Sequence, residues 1–153
     1  MDFHTIRLLT PWEVGRFCEG GSETTLHRVT LPCQFQQPDS GWPVYLRRRF
    51  NSPSGLSASS RIFLRVFWVA GTLAVRLNGH VLTPCDVPRT SFRTTNLEHG
   101  ENRHSEVFEI TGALRPGNLI EIEMAGLTEP AVYATEIPRL PELKWVSLEI
   151  AES

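Results

Sequence analysis

The chain has 153 residues and a formal net charge of -2 at pH 7, with arginine supplying nearly all of the positive charge. This length suits one domain with a self-sufficient core, so we expect residues 1–153 to form a single domain. The charge balance gives no basic footprint for nucleic acid or an anionic membrane, and both classes of partner are excluded.

The three cysteines, Cys18, Cys33 and Cys85, are widely spaced and form no CxxC pair. The sequence therefore predicts neither a disulfide framework nor a zinc cluster. No early apolar run is long enough for a signal peptide, and no later segment has the length of a membrane span. We expect a soluble, cytoplasmic protein, although a domain cut from a longer secreted chain would also lack a signal.

The first third of the chain predicts short strands and loops. Thr5–Leu9 and Thr25–Leu31 are β-prone runs that we place at sheet edges, and a loop with three prolines or glycines precedes Val44–Phe50. In that third strand, Arg48 falls on the apolar face. An inward arginine needs a carboxylate or carbonyl partner, because an unpaired buried charge is prohibitively costly.

The stretch Arg61–Leu82 predicts the centre of the fold, with two strands joined at Ala70–Gly71 and a second turn at Asn78–Gly79. Side chains alternate across a strand. One face of the first strand is wholly apolar: Ile62, Leu64, Val66 and Trp68. The other face is nearly so: Phe63, Arg65, Phe67 and Val69. This pattern is typical of a strand in the middle of a sheet.

The second half of the chain predicts a long loop and three further strands. Thr83–Ser105 has no strand periodicity, and a loop of that length in a compact domain is usually functional or disordered. The strands are Glu106–Thr111, Asn118–Met124 and Lys144–Ile150. About eight short strands without a long helix predict an all-β protein, a sandwich of two antiparallel sheets packed face to face.

The chain contains three recognisable pieces of sequence in the following order: LRRRF, FLRVFWVAGTLAVRLNGHVL and FEITGALRPGNLIEIEM. Together they resemble the amino-terminal, non-catalytic sugar-binding domain of family 2 glycoside hydrolases, such as β-galactosidases and β-glucuronidases. The resemblance covers Leu31 to Ile150 and implies a galactose-binding-like jelly roll. Its motifs specify the scaffold and not a ligand site, because Asn78–Gly79 is explained by the geometry of a tight turn. The chain departs from the family at Thr83–Ser105, where the family carries a shorter connection rich in glycine and aromatic residues.

The sequence does not predict catalysis. Retaining glycosidases need two carboxyl groups about 5 Å apart. The nearest candidates are Glu106 with Glu109, and Glu121 with Glu123, and the latter pair has the pattern of a solvated sheet surface. In the enzymes that the chain resembles, the catalytic carboxylates belong to a (β/α)8 barrel, which needs roughly 200 or more residues. We therefore predict a non-enzyme, either an accessory to or a non-catalytic part of a hydrolase.

The sequence also predicts no cofactor and no bound metal. His99, His104, Cys85 and Asp86 share the long loop, but their spacing matches no recognised ligand pattern. Solvated loop histidines are the favoured interpretation. Jelly rolls of this type often hold a structural calcium ion, yet no loop rich in Asp and Asn stands out for one.

Sugars are bound by aromatic faces and planar polar side chains in clefts built from loops. The candidate ligand-binding residues lie in or beside predicted loops: Trp12, Trp42, Tyr45, Arg89, Phe92, Arg93, Asn96, His99 and Arg103. Trp68 and Trp145 lie inside strands, and we interpret them as packing residues. A ring that plugs the end of the sandwich is the alternative for Trp42, and a solubilising surface is the alternative for the arginines.

Two functions remain open at the level of sequence. The first is a non-catalytic carbohydrate-binding module for a neutral glycan, free-standing or detached from a hydrolase. The second is a protein-interaction or structural subunit on the same scaffold, which would bury a sheet edge or an apolar patch in a homo-oligomer or against a hydrolase. Fold alone does not decide between them.

Overall fold

The computed structural model describes residues 2–15, 27–36, 43–85, 103–126 and 140–152. These residues form eleven strands and one short 3-10 turn, Thr111–Ala113. The strands are β1 (Asp2–Arg7), β2 (Trp12–Gly15), β3 (His27–Val29), β4 (Cys33–Gln34), β5 (Val44–Asn51), β6 (Arg61–Val69), β7 (Thr72–Leu77), β8 (His80–Val81), β9 (Arg103–Glu109), β10 (Gly117–Ala125) and β11 (Glu142–Glu152). None of the described residues belongs to a helix that could cross a membrane.

The strands build two antiparallel sheets. The first sheet has the order β1-β11-β6-β9, with β4 also paired to β11, and the second has the order β3-β2-β5-β10-β7-β8. The predicted all-β sandwich is confirmed, as is the position of β6 between two neighbours. The predicted edge strands β1 and β3 lie at sheet edges as well.

The core forms where the apolar faces of the two sheets meet. From the first sheet, Leu64, Val66 and Val146 are fully buried, and from the second, Leu46 and Ile120 are too. The alternation of buried and half-buried residues along β10 follows the predicted period of two. Burial of branched side chains is the main favourable contribution to such a fold, at roughly 1.5–3 kcal/mol for each.

Both predicted turns of the central hairpins are confirmed. Ala70 and Gly71 have φ values of 58° and 79°, and Asn78 and Gly79 have φ values of 52° and 85°. Two successive positive φ values match the right-handed twist of the flanking strands, which is the reason why Asn-Gly favours tight hairpins. The Ala70–Gly71 turn defines one end of the sandwich, called the hairpin end below.

The opposite end, called the asparagine end, is closed by side-chain amides. Asn78 Nδ2 donates a hydrogen bond to Asn118 Oδ1 at 3.0 Å, and Asn78 Oδ1 accepts one from the backbone N of Leu119 at 2.9 Å. Asn118 is buried, and it donates to the Arg115 carbonyl at 2.7 Å and to Ser52 Oγ at 3.2 Å. Asn78 therefore ties the β7–β8 turn to β10, in addition to supplying a positive φ.

Replacement of Asn118 by alanine should destabilise the fold by about 1–3 kcal/mol, because it removes a buried amide and leaves part-buried backbone groups without partners. Among them is the N–H of Arg115, which donates to Asn118 Oδ1 at 2.8 Å. Urea denaturation of the variant would measure the loss. Asn51→Ala, at an exposed position of β5, is the matched control and should change the free energy of unfolding by less than about 0.5 kcal/mol. Equal losses in both variants would contradict a specific role for Asn118.

The centre of the outer face of the first sheet is buried. Phe63, Arg65 and Glu149 on this face are only 5%, 8% and 7% exposed. Arg65 Nε lies 2.9 Å from Glu149 Oε1, and the Arg65 guanidinium lies 5.7 Å from the centre of the Phe67 ring. A charged pair is thus buried between the aromatic residues of β6, whose near-apolar outer face the sequence indicated.

The structure corrects several predicted elements. Trp12–Gly15 and Cys33–Gln34 are strands that the sequence did not predict. β9 begins at Arg103, so the last three residues of the predicted loop Thr83–Ser105 belong to a strand. Arg48 has the predicted partner, because its Nη1 donates to the Pro11 carbonyl at 3.4 Å, and burial lowers the pKa of its guanidinium.

The first and last strands are direct neighbours. β1 pairs with β11 from Asp2 opposite Glu152 to Arg7 opposite Ser147. Ala151 lies opposite Arg61 at the start of β6, whereas β6 ends at the hairpin end. Residues 2 and 152 therefore lie side by side, at the asparagine end.

Candidate functional site

The strand register gathers several chain connections at the hairpin end. Val44 pairs with Met124, and Ala125 pairs with Thr72, so β5 starts, β10 ends and β7 starts there. In the first sheet, Arg103 and Glu142 both pair with Val69, so β9 and β11 start at the same end. β2 ends there and β3 starts there, since Val14 pairs with His27.

This arrangement fixes where four stretches outside the described residues attach. Residues 16–26, 37–42 and 127–139 each connect strand ends that lie at the hairpin end, and residues 86–102 return to it at Arg103. Six of the predicted ligand-binding residues belong to these stretches and lie outside the described residues: Trp42, Arg89, Phe92, Arg93, Asn96 and His99.

Trp12 is a correction to the predicted site. Its side chain is 0% exposed in β2, and Nε1 donates a hydrogen bond to the Leu8 carbonyl at 2.7 Å. A fully buried ring cannot present a face to a sugar, so Trp12 is a core residue whose polar atom is satisfied. The sequence placed Trp12 in or beside a predicted loop, but the pairing of β2 with β3 and β5 makes it part of a strand.

Tyr45 and Arg103 occupy strand ends near the hairpin end. Tyr45 is half-buried on the outer face of the second sheet, opposite Gly15 and Glu123. Arg103 is the first residue of β9. Both lie near the described strand ends from which the stretches with the other candidates continue, but Tyr45 and Trp12 lie on opposite faces of the second sheet.

Three described side chains form a cluster at the hairpin end. The rings of Trp68 and His104 are stacked, with centroids 5.2 Å apart and an angle of 30° between the planes. Trp68 Nε1 donates to the Gly71 carbonyl at 3.4 Å, which anchors the indole to the turn. Glu106 lies two residues after His104 on the same side of β9 and is half-buried. Burial raises the pKa of Glu106, and the nearby His104 acts in the opposite direction.

The sequence alone predicts no contact between these residues, because it places His104 in a loop and offers Glu106 only as a catalytic carboxylate. The signal was present as a period of two in His104, Glu106, Phe108 and Ile110, which places all four on the interior side of β9. The polar first half of this edge strand hid the pattern.

The carboxylates considered for catalysis have other surroundings. Glu109 points to the opposite side of β9 from Glu106 and forms a two-point ion pair with Arg61, at 3.1 Å and 2.8 Å. This arginine holds the pKa of Glu109 below its ordinary value. The two carboxyl groups therefore do not share a face, and they cannot form a glycosidase pair with each other.

Glu121 and Glu123 belong to a charged outer face of the second sheet. The register forms a row of alternating charge across five strands: Arg28, Glu13, Arg47, Glu121 and Arg76. Within this row, Arg47 Nη2 lies 3.2 Å from Glu13 Oε2. Arg47 and Glu13 are both half-buried, and a pair so close to solvent contributes little stability, at most about 1 kcal/mol. The row confirms the predicted wet face of β10.

Within the described residues, no group of three or more His, Cys, Asp or Glu side chains could hold a metal ion. His99 and Asp86, which share the predicted loop with His104 and Cys85, lie outside those residues. The described ends of the long loop carry Cys85 and His104, and the Cys85 backbone N bonds the Val107 carbonyl at 2.8 Å.

Comparison with solved structures shows what the chain is similar to. It matches an FMN-binding β-glucuronidase from Faecalibacterium prausnitzii L2-6 with a TM-score of 0.64 and 22% identity, over 97% of this chain and 22% of that one. It matches a candidate β-galactosidase from Bacteroides fragilis with a TM-score of 0.66 and 19% identity, over 99% of this chain and 24% of that one. It also matches a β-glucuronidase from glycoside hydrolase family 2 with a TM-score of 0.64 and 15% identity, over 98% of this chain and 18% of that one.

No protein-family profile and no curated protein matches the sequence. The chain spans about a fifth of the length of each of the three solved proteins named above. At identities of 15–22%, the comparison shows a shared fold and nothing further. The chain has the all-β sandwich fold of one part of these β-glucuronidases and of the candidate β-galactosidase, as the sequence resemblance implied.

Proposed function

We propose that this chain is a non-catalytic carbohydrate-binding module whose ligand site lies at the hairpin end of the sandwich. One observation carries the proposal. The register brings to this end both boundaries of residues 37–42 and the Arg103 boundary of residues 86–102, the two stretches that hold the predicted ligand-binding residues outside the strands. Binding sites are usually built from loops that a rigid scaffold gathers at one place.

The chemistry of the described residues at that end suits a sugar. Trp68 and His104 supply stacked rings, and Glu106 supplies a half-buried carboxyl group. Aromatic faces contact the C–H patches of a sugar ring, and carboxylates accept hydrogen bonds from its hydroxyl groups. The solved proteins with the same fold are described as glycosidases, which supports a carbohydrate as the ligand class.

We propose no catalytic activity for two reasons, the length of the chain and the positions of its carboxyl groups. The chain corresponds to about a fifth of each of these glycosidases. A (β/α)8 barrel needs roughly 200 or more residues. The carboxyl groups of Glu106 and Glu109 point to opposite sides of one strand, and Glu109 is bound by Arg61. We therefore expect the purified chain to leave chromogenic galactosides and glucuronides intact.

The test is direct binding. The purified chain would be applied to an array of neutral mono- and oligosaccharides that also carries glucuronides, and hits would be titrated by calorimetry at millimolar sugar. We expect binding to at least one neutral glycan. No binding to any sugar, together with a stable dimer by light scattering, would overturn the proposal and favour a protein-interaction or structural subunit.

A pair of tryptophan variants separates ligand binding from packing. We expect Trp42→Ala to weaken glycan binding while leaving the melting temperature within a few degrees of the parent. Trp12→Ala should instead lower stability by about 3–5 kcal/mol, because Trp12 is fully buried. Calorimetry and thermal unfolding on both variants would measure the two effects. A large loss of stability in Trp42→Ala would make Trp42 a core residue and remove it from the site.

A further inference from the structure

The Trp68 indole is buried in an unusual way. One of its faces belongs to the core of the first sheet, and its side chain is 6% exposed in all. The ring stacked on it, His104, is itself exposed and belongs to β9, an edge strand. Among the described residues, the ring that stacks on this large aromatic side chain is therefore a small polar one.

This cover is easy to remove. A ring pair adds only about 0.5–1.5 kcal/mol beyond the area that it buries. An exposed side chain on an edge strand can also change rotamer without disturbing the sheet. The indole, in contrast, is held in place by the hydrogen bond from Nε1 to the Gly71 carbonyl. Rotation of His104 would uncover a fixed, flat aromatic face at the hairpin end.

Glu106 provides the polar group that such a face would need. It lies on the same side of β9 as His104 and opposite Val66, which is two residues before Trp68 in β6. The half-buried Glu106 is thus one inward-facing position from Trp68, on the side away from the turn. An aromatic plane flanked by a carboxylate matches the C–H faces and hydroxyl groups of a neutral pyranose ring.

We propose that Trp68 is a stacking surface for a neutral sugar ring, that His104 covers it when no ligand is bound, and that Glu106 accepts a hydrogen bond from a sugar hydroxyl. The sugar displaces the imidazole and takes its place on the indole. This inference rests on the proposed carbohydrate-binding function and specifies residues and self-inhibition at the same site.

The decisive variant is His104→Ala, which removes the cover and leaves the indole in place. Its neutral-glycan binding would be measured on the array, with lactose and cellobiose among the probes, and hits titrated by calorimetry. We expect affinity to rise about two- to tenfold, which corresponds to the 0.5–1.5 kcal/mol of a ring pair. His80→Ala, an exposed histidine of β8 at the asparagine end, is the matched control and should bind like the parent.

Two further variants keep the test independent of folding. Glu106→Gln preserves shape and should weaken binding several-fold. Trp68→Phe keeps an aromatic ring in the core, and it should reduce the change in tryptophan emission that the sugar causes. Thermal unfolding would show whether each variant is folded before its binding is compared.

The outcomes separate this inference from the proposed function. If the parent binds a glycan and His104→Ala binds it with equal or lower affinity, the covered stacking surface is wrong while carbohydrate binding stands. If only His104→Ala binds, both are supported. If neither chain binds any sugar on the array, both are overturned.

Discussion

Replacing Gly71 by alanine should cost about 2–5 kcal/mol of unfolding free energy, a large part of the stability of a domain of this size. The backbone φ of Gly71 is +79°, and a Cβ atom built there would lie 2.1 Å from the carbonyl oxygen of Ala125. The left-handed conformation costs an L-residue about 1–2 kcal/mol. Displacing the end of β10 adds about 1–3 kcal/mol, as overpacking does.

Gly55→Ala isolates the steric part of this effect. Gly55 has nearly the same φ, +78°, but nothing lies within 4 Å of its added Cβ. We expect a loss of only about 1–2 kcal/mol there. Urea denaturation of the two variants would give the difference. Equal losses would show that the close approach of β10 to the turn does not constrain residue 71.

Replacing Glu149 by alanine should also lower the free energy of unfolding strongly, by roughly 3–5 kcal/mol. The reason is that it removes the carboxylate beside the guanidinium of Arg65, which stays buried next to Phe67. Within the described residues, Glu149 Oε2 has no hydrogen-bond donor, so this oxygen of the carboxylate is buried without a hydrogen bond. The desolvation cost of such a pair often exceeds its attraction. The double variant Arg65→Met with Glu149→Leu should therefore recover stability to within about 1 kcal/mol of the parent, or exceed it.

The pair also predicts a pH dependence. Burial raises the pKa of Glu149 above the ordinary 4.5, against the lowering effect of Arg65. A carboxyl group with a raised pKa binds its proton more tightly in the folded chain, so its contribution is most favourable below the unfolded value and is lost as pH rises through the folded one. We expect the stability of the double variant relative to the parent to increase from about pH 4 to about pH 7. A constant difference across this range would contradict a buried, costly carboxylate.

Local patterns predicted the parts of the fold that carry their own signal. The alternation along β6 and the Asn78–Gly79 pair were enough to place a central hairpin, because one face had to be buried and two successive residues had to adopt positive φ. β2 and β4 escaped prediction, since each is short and follows a proline, and their structure depends on pairing with strands that are distant in the sequence.

The candidate site was harder to predict for the same reason. Aromatic residues near loops were reasonable candidates, but burial decides whether a ring can touch a ligand, and burial depends on the whole sheet. Trp12, which the sequence offers as a ligand contact, is for this reason a core residue. His104 reached Trp68 only through the register between β6 and β9, which no local pattern specifies. The partnership of Arg65 with Glu149 likewise required both strands to be placed first.

The pairing of Asp2 with Glu152 has a consequence for how this sandwich can be joined to other proteins. Since the chain enters and leaves at adjacent points, the unit can be spliced into a surface loop of a host protein without stretching either partner. The splice point lies at the far end from Trp68 and His104. A host or a fusion tag attached there would leave the hairpin end facing outward, so immobilisation through either terminus should present the candidate sugar site to solution.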